Sequence, residues 1–180
     1  MQLTLEDMDK VRIKKKITFP GGVKFSFYKS KIVDINFIAK LWASYLKKHD
    51  SPVIDFYFHT PFCLHDKCKF CAYPSKRIKS MSELDDYLDV VEKQFEVFAP
   101  VFKDYKFRNI YLGGGTSSIY NPRQLKRLFS LIFDNFAFQE NAQRTFEISF
   151  YTATLNNSRL LYLTDLIVLQ WAYNPGMMMF

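Results

Sequence analysis

The sequence predicts an α/β fold in which parallel strands alternate with helices, as in part of an α/β barrel. Short apolar runs, typical of buried strands, occupy residues 53–59, 108–112 and 145–150. The stretches between them have the three-to-four residue spacing of amphipathic helices. This alternation predicts about three βα units, with ligands bound at the carboxyl ends of the strands.

The first part of the chain has a different pattern. Residues 1–33 predict an irregular or hairpin-like extension that turns at Pro20-Gly21-Gly22. Residues 34–48 have helical spacing, with Ile35, Ile38, Leu41, Trp42 and Tyr45 on one side. Residues 1–50 are therefore expected to be an N-terminal extension with one helix.

Three more helices are expected beyond that extension. Ser80-x-x-Glu83 is a capping box that opens a helix to about residue 98. Its apolar stripe is Leu84, Leu88, Val91, Phe95 and Phe98. Asn121-Pro122 opens a helix to about residue 135, because proline suits the first helical position. A further helix is expected at residues 157–165.

Composition limits the function classes. The chain has 180 residues, is 48% hydrophobic and carries a net charge of +7. Its basic residues are scattered among apolar positions, which favours solvated faces over a nucleic-acid surface. No apolar run has the length of a membrane span, and no leader is evident, so a cytoplasmic globular protein is expected.

The three cysteines are grouped as Cys63-x4-Cys68-x2-Cys71, directly after the first predicted strand. Three thiols in a chain without an export signal favour metal ligation over disulfides. A [2Fe-2S] cluster requires a fourth cysteine, which is absent. Two alternatives remain. One is a zinc site completed by His59 or His65, and the other is a cubane cluster with one iron open to a ligand.

Neighbouring motifs extend the pattern. Tyr57-x-His59-x-Pro61-Phe62-Cys63 is followed by Lys69-Phe70-Cys71-Ala72-Tyr73, and then by Tyr111-Leu112-Gly113-Gly114-Gly115-Thr116. Over residues 53–166 the chain resembles radical S-adenosylmethionine (SAM) enzymes. It is most similar to the oxygen-independent coproporphyrinogen dehydrogenase family, with its Y-x-H-x-P-F-C and F-G-G-G-T motifs.

The resemblance implies the N-terminal part of a radical SAM (βα)6 partial TIM barrel at residues 51–166. In such proteins the three cysteines hold a [4Fe-4S] cluster, which reduces SAM to a 5′-deoxyadenosyl radical. The implied cluster ligands are Cys63, Cys68 and Cys71. The implied SAM-binding residues are Tyr57, Gly113, Gly114, Gly115, Thr116 and Glu147. The glycines are expected to let backbone groups approach the ligand closely.

The sequence also departs from the resembled pattern. One extra residue separates Cys63 from Cys68, Tyr73 replaces a further cysteine, and Tyr151 replaces a second acid. An aromatic residue at position 73 is similar to the family's haem-trafficking relatives. A porphyrinogen or haem substrate and an electron donor are thus expected partners. A haem chaperone-like protein and a zinc-stabilised interaction module remain alternatives.

The last residues have neither helical nor strand periodicity. Read one base out of frame, the codons for Gln170 to Asn174 permit Met-Gly-Val-Gln, and those for Met177 to Phe180 force Asp-Asp-Val. Both are similar to the resembled family. We expect a frameshift between about Leu155 and Ile167, an out-of-frame tail at residues 167–180, and a truncated product that is poorly soluble and catalytically silent.

Sequencing the coding DNA tests this expectation. Because the displaced frame encodes family-like residues, we predict that it stays open well beyond the codon for Phe180. A stop within a few codons of that position would contradict the frameshift.

Overall fold

A computed structural model describes residues 13–18, 24–28, 34–49, 52–66, 71, 73–149, 152 and 169–171. The chain divides into two compact units, Met1–Asp50 and Ser51–Phe180. None of the helices in the described ranges combines the length and apolar character needed to cross a bilayer. The middle cysteine, Cys68, and the expected helix at 157–165 lie outside these residues.

The N-terminal unit contains an antiparallel hairpin and one helix. Strand β1, Ile13–Thr18, pairs antiparallel with β2, Lys24–Tyr28, while the turn predicted at Pro20-Gly21-Gly22 lies outside the described residues. Helix α1 spans Ile35–Lys48, as the spacing predicted. Asp34 caps it by accepting a 2.9 Å bond from the Asn36 N–H. Its last turn carries lysines, which suit the negative end of a helix dipole.

The second unit is built on a four-stranded parallel sheet in the order β3-β6-β7-β8. The strands are β3 Phe56–Thr60, β6 Lys106–Gly114, β7 Ala137–Ile148 and β8 Leu169–Trp171. Helix α2, Ser82–Phe102, follows β3, and helix α3, Pro122–Asn135, follows β6. The predicted α/β fold with parallel βα units is confirmed.

Short elements complete this unit. Strands β4, Phe62–Cys63, and β5, Lys76–Arg77, form a separate parallel pair. A 3-10 helix, Ser117–Ile119, follows β6. Strand β8 was not predicted, because an edge strand pairs through backbone groups and needs no side-chain alternation. It adds a short fourth strand to the parallel sheet of the partial barrel that the sequence predicted.

Helix α2 differs from its prediction at both ends. It begins at Ser82 with Met81 as its cap, and no side chain caps it. Glu83 nevertheless accepts bonds from the backbone N–H groups of Lys79 and Ser80, at 2.7 and 3.3 Å. The helix continues past Pro100 to Phe102, whose buried ring contacts Phe107 and Phe136. This packing offsets the backbone bond that proline removes.

The core lies between the helices and one face of the sheet. Fully buried aliphatic side chains from α2 and α3 cover buried strand residues. The central members are Leu84, Leu88, Leu125, Leu128, Ile132, Ile110, Leu112 and Phe146. Phe56 anchors an aromatic cluster through contacts with Phe95, Phe107, Phe136 and Phe138. Most of the chain's rings that the structure describes therefore serve packing.

Helix α3 begins as predicted. The Asn121 side chain accepts from the Gln124 N–H at 2.9 Å, and the Gln124 side chain accepts from the Asn121 N–H at 3.2 Å. The buried Gln124 amide also donates to the Met81 carbonyl and the Asp85 carboxylate, at 3.0 and 2.9 Å. One side chain thus caps α3 and joins it to the start of α2.

Replacing Gln124 with Ala should lower the free energy of unfolding by about 2–3 kcal/mol, because buried partners lose their bonds. The matched control is the neighbouring Arg123→Ala variant. It removes the ion pair between Arg123 and Asp85, in which the Arg123 side chain is 70% exposed. It should cost about 0–1 kcal/mol. Equal losses in urea unfolding would show that Gln124 is not the joining residue.

Candidate functional site

The face of the sheet opposite the helices carries polar and aromatic side chains. Alternate residues of a strand share a face, so Tyr57 and His59 of β3 lie together. Parallel register places Tyr57 beside Tyr111 and His59 beside Gly113 of β6. Tyr57 and Tyr111 stack with ring centroids 5.8 Å apart. The candidate site lies at the carboxyl ends of these strands, where the sequence predicted it.

The cysteine loop is closed by backbone bonds between β4 and β5. The Lys76 N–H donates to the Pro61 carbonyl, and the Ile78 N–H donates to the Cys63 carbonyl, both at 2.9 Å. This pair of bonds, with strands β4 and β5, is called the clasp below. Cys63 and Cys71 are half-buried free thiols. The clasp thus fixes Cys63, and the segment between β4 and β5 that carries the other cysteines is called the cysteine loop.

The glycine turn, Gly113–Gly115, packs directly on this loop. The Gly115 N–H donates to the Thr60 carbonyl at 2.7 Å, and the Thr116 N–H donates to the Phe62 carbonyl at 2.8 Å. A Cβ atom on Gly115 would lie 2.9 Å from the Cys63 Sγ. The glycine turn and Cys63 are therefore in contact.

The glycines are required by packing within the chain. Gly114 has a φ of 117°, and a Cβ there would lie 2.7 Å from the Thr60 carbonyl oxygen. At Gly113 it would meet the Tyr111 ring at 2.6 Å and Glu147 Oε2 at 2.8 Å. The N–H groups of Gly114, Gly115 and Thr116 all donate within the protein. These donors are therefore not presented to a ligand in this conformation.

Glu147 joins the turn to the third strand. Its Oε1 accepts from the Tyr111 hydroxyl at 2.5 Å, and its Oε2 accepts from the Gly114 N–H at 3.1 Å. Burial, followed by the bond to the Glu147 carboxylate and its charge, raises the pKa of Tyr111 well above its ordinary range. Sequence reasoning missed Tyr111 as a partner, although its place two residues before Gly113 puts it on the same face.

His59 is enclosed by contacts within the site. Its Nε2 lies 2.8 Å from the Pro74 carbonyl oxygen, and its Nδ1 lies 3.3 Å from the Tyr57 hydroxyl. The ring is therefore engaged at both nitrogens, which disfavours it as a zinc ligand. Burial and then the charge of Glu147 raise the pKa of Tyr57. Tyr73 lies on the same side, with its ring 6.3 Å from that of His59.

Metal-binding capacity follows from the donor set. Within the residues that the structure describes, no group of three His, Cys, Asp or Glu side chains is arranged to hold a metal ion. The predicted ligand set includes Cys68, which lies outside them. Cys63 and Cys71 fit a thiolate-bound group because both are free and half-buried. His65 is exposed on the same loop.

The chain is similar to known proteins over about half its length. It is 34% identical over 95 residues to the oxygen-independent coproporphyrinogen III oxidase of Salmonella typhimurium, covering 53% of this chain and 21% of that protein. It is 37% identical over 76 residues to the heme chaperone HemW of Lactococcus lactis, covering 42% of this chain and 18% of the relative. No protein-family model matches it.

A solved structure gives the same result. The coproporphyrinogen III oxidase HemN of Escherichia coli, described as a radical SAM enzyme, matches with a TM-score of 0.67 and 25% identity. The match covers 73% of this chain and 30% of that one. The predicted resemblance is confirmed. The chain spans about a fifth of the length of the curated relatives named here.

Alanine substitutions in the glycine turn should destabilise the fold to different extents. Gly114→Ala should lower the free energy of unfolding by about 3 kcal/mol, because its φ is positive and backbone atoms fill the Cβ space. Gly113→Ala should cost less, about 1–2 kcal/mol, because its φ is not positive and the atoms in its Cβ space are side-chain atoms, whose movement costs the Tyr111–Glu147 bond. Urea unfolding measures both, and an equal or reversed order would contradict the packing account.

The raised pKa of Tyr111 leads to a prediction about the stability of the protein at alkaline pH. Its folded-state pKa lies above the ordinary 10.0, so the neutral phenol stabilises the fold below pH 10 and that contribution is lost as the pH rises further. Thermal melts between pH 8 and 11.5 should therefore fall less steeply for Tyr111→Phe than for the wild type. Tyr105→Phe is the control and should follow the wild-type curve. Parallel curves for Tyr111→Phe would contradict the assignment.

Proposed function

We propose that this chain is a radical SAM protein that binds a [4Fe-4S] cluster through Cys63, Cys68 and Cys71. The single observation that carries the proposal is the contact between the cysteine loop and the glycine turn at the ends of β3 and β6. Gly115 lies against the Cys63 Sγ, and Thr116 bonds the carbonyl of Phe62. When bound, the cluster supplies the electron that cleaves SAM reductively.

The proposed SAM site consists of Tyr57, the glycine turn, Thr116 and Glu147. The turn's N–H groups at positions 114 to 116 are used internally, while a carboxylate offers about four lone-pair positions. Glu147 uses two of these for Tyr111 and Gly114. Acceptors therefore remain beside the turn, and they suit the ammonium and hydroxyl groups of SAM.

The proposed reaction class is that of the oxygen-independent coproporphyrinogen III oxidases, with a porphyrinogen substrate and an electron donor. The support is the likeness to the Salmonella typhimurium oxidase and to the HemN structure. The proposed compartment is the cytoplasm.

A second candidate function is haem delivery. It is favoured by Tyr73, which stands at the site where the resembled dehydrogenases carry a cysteine, and by the likeness to HemW of Lactococcus lactis. Tyr73 is 50% exposed beside His59. A haem-delivering protein would bind haem without turning over coproporphyrinogen III. Because this chain is expected to be catalytically silent, titration with haem is the distinguishing measurement: tight haem binding supports delivery, and no haem binding contradicts it.

The cluster proposal predicts equal effects of the three cysteines. After anaerobic reconstitution with iron and sulfide, the wild type should show the visible absorbance of an iron–sulfur cluster. Cys63→Ala, Cys68→Ala and Cys71→Ala should each abolish it, because every thiolate is a ligand.

The matched control is His65→Ala, which removes the exposed alternative zinc ligand. It should leave the absorbance and the iron content unchanged. A colourless wild-type protein that binds zinc, and loses it in His65→Ala, would contradict the cluster and support a zinc-stabilised module. Full absorbance in any single cysteine variant would remove that residue from the site.

A further inference from the structure

His59 contacts each of the parts that form the candidate site. On one side its Nε2 lies 2.8 Å from the Pro74 carbonyl oxygen, just before the β5 strand that closes the cysteine loop. On the other its Nδ1 lies 3.3 Å from the Tyr57 hydroxyl. A Cβ on Gly114 would lie 2.8 Å from the same Nδ1, so the ring also packs on the glycine turn.

The Pro74 contact fixes the position of the imidazole proton. A carbonyl oxygen only accepts hydrogen bonds, so Nε2 must carry the hydrogen and donate it. In the neutral ring Nδ1 is then the acceptor, and the Tyr57 hydroxyl donates to it. The two nitrogens therefore have separate roles, one toward the loop and one toward the sheet.

The backbone of His59 is held from the opposite face. The Tyr87 hydroxyl of α2 donates to the His59 carbonyl at 2.7 Å. The imidazole thus projects from a fixed strand residue, and its bond to Pro74 adds to the two backbone bonds of the clasp. A side chain anchored in this way can restrain the loop's return segment at little entropic cost.

We propose that His59 is a positioning residue, whose Nε2–H bond to the Pro74 carbonyl holds the returning end of the cysteine loop, Pro74 to Ile78, beside the end of β3 and so supports the clasp at Cys63. The identity of the group that the loop receives rests on the proposed function. The bond itself belongs to the metal-free chain. Removing it should loosen the clasp and reduce the retention of iron by the loop.

Two substitutions of His59 distinguish the roles of its two ring nitrogens. In His59→Gln the side-chain amide reaches the position of Nε2 and can still donate to Pro74. In His59→Asn the shorter amide reaches only the position of Nδ1, so the bond to Pro74 is lost. The same His→Asn change at His49, an exposed residue at the end of α1, is the matched control.

The first readout is hydrogen–deuterium exchange of the Lys76 and Ile78 amides in metal-free protein, with α3 amides as internal reference. Losing one net hydrogen bond should speed clasp exchange about three- to tenfold in His59→Asn. His59→Gln and His49→Asn should match the wild type. The second readout is iron retained after anaerobic reconstitution and desalting, which should fall in His59→Asn and be preserved in His59→Gln.

Equal exchange in the Asn and Gln variants would overturn the proposal. So would a rise that includes the α3 amides to the same extent, since it would indicate a global effect. If the wild type retains no iron and sulfide, the proposed function fails. The positioning role still stands in that case if the clasp amides exchange faster in His59→Asn than in His59→Gln.

Discussion

The candidate site depends on the continuation of β3–β6 pairing beyond the end of the sheet. Bonds from Gly115 to Thr60 and from Thr116 to Phe62 bring two loops together that are otherwise about fifty residues apart in sequence. A side chain at Gly115 would collide with the backbone of Phe62. The need for glycine thus comes from the contact between the two loops. The same contact fixes the start of the cysteine loop.

One face of the sheet packs the core, and the other carries the candidate site. Aliphatic and aromatic residues on one face pack under α2 and α3, and Gln124 joins the helix starts. The other face carries Tyr57, His59, Tyr111 and Glu147, whose polar groups bond one another. Because the packed face holds the strands in register, the polar face presents its groups at defined relative positions.

Sequence reasoning predicted the parts that depend on local chemistry. The Asn121-Pro122 start of α3 and the parallel βα order followed from capping and periodicity. It did not give the partners of His59 or Glu147, because a backbone carbonyl such as that of Pro74 has no sequence signal. The end of α2 was also misplaced, since burial of the Phe102 ring outweighed the local effect of Pro100. Tertiary contacts decide such cases, and periodicity does not report them.

The central claim is that the thiolates and the glycine turn form one site for an iron–sulfur cluster and SAM. Electron paramagnetic resonance of the reduced, reconstituted chain, recorded with and without SAM, tests it most directly. The account predicts a [4Fe-4S] signal that changes shape on adding SAM. An equal amount of adenosine, which lacks the methionine part of SAM, should leave the signal unchanged. A cluster signal indifferent to SAM, or a protein that binds zinc and gives no signal, would contradict it.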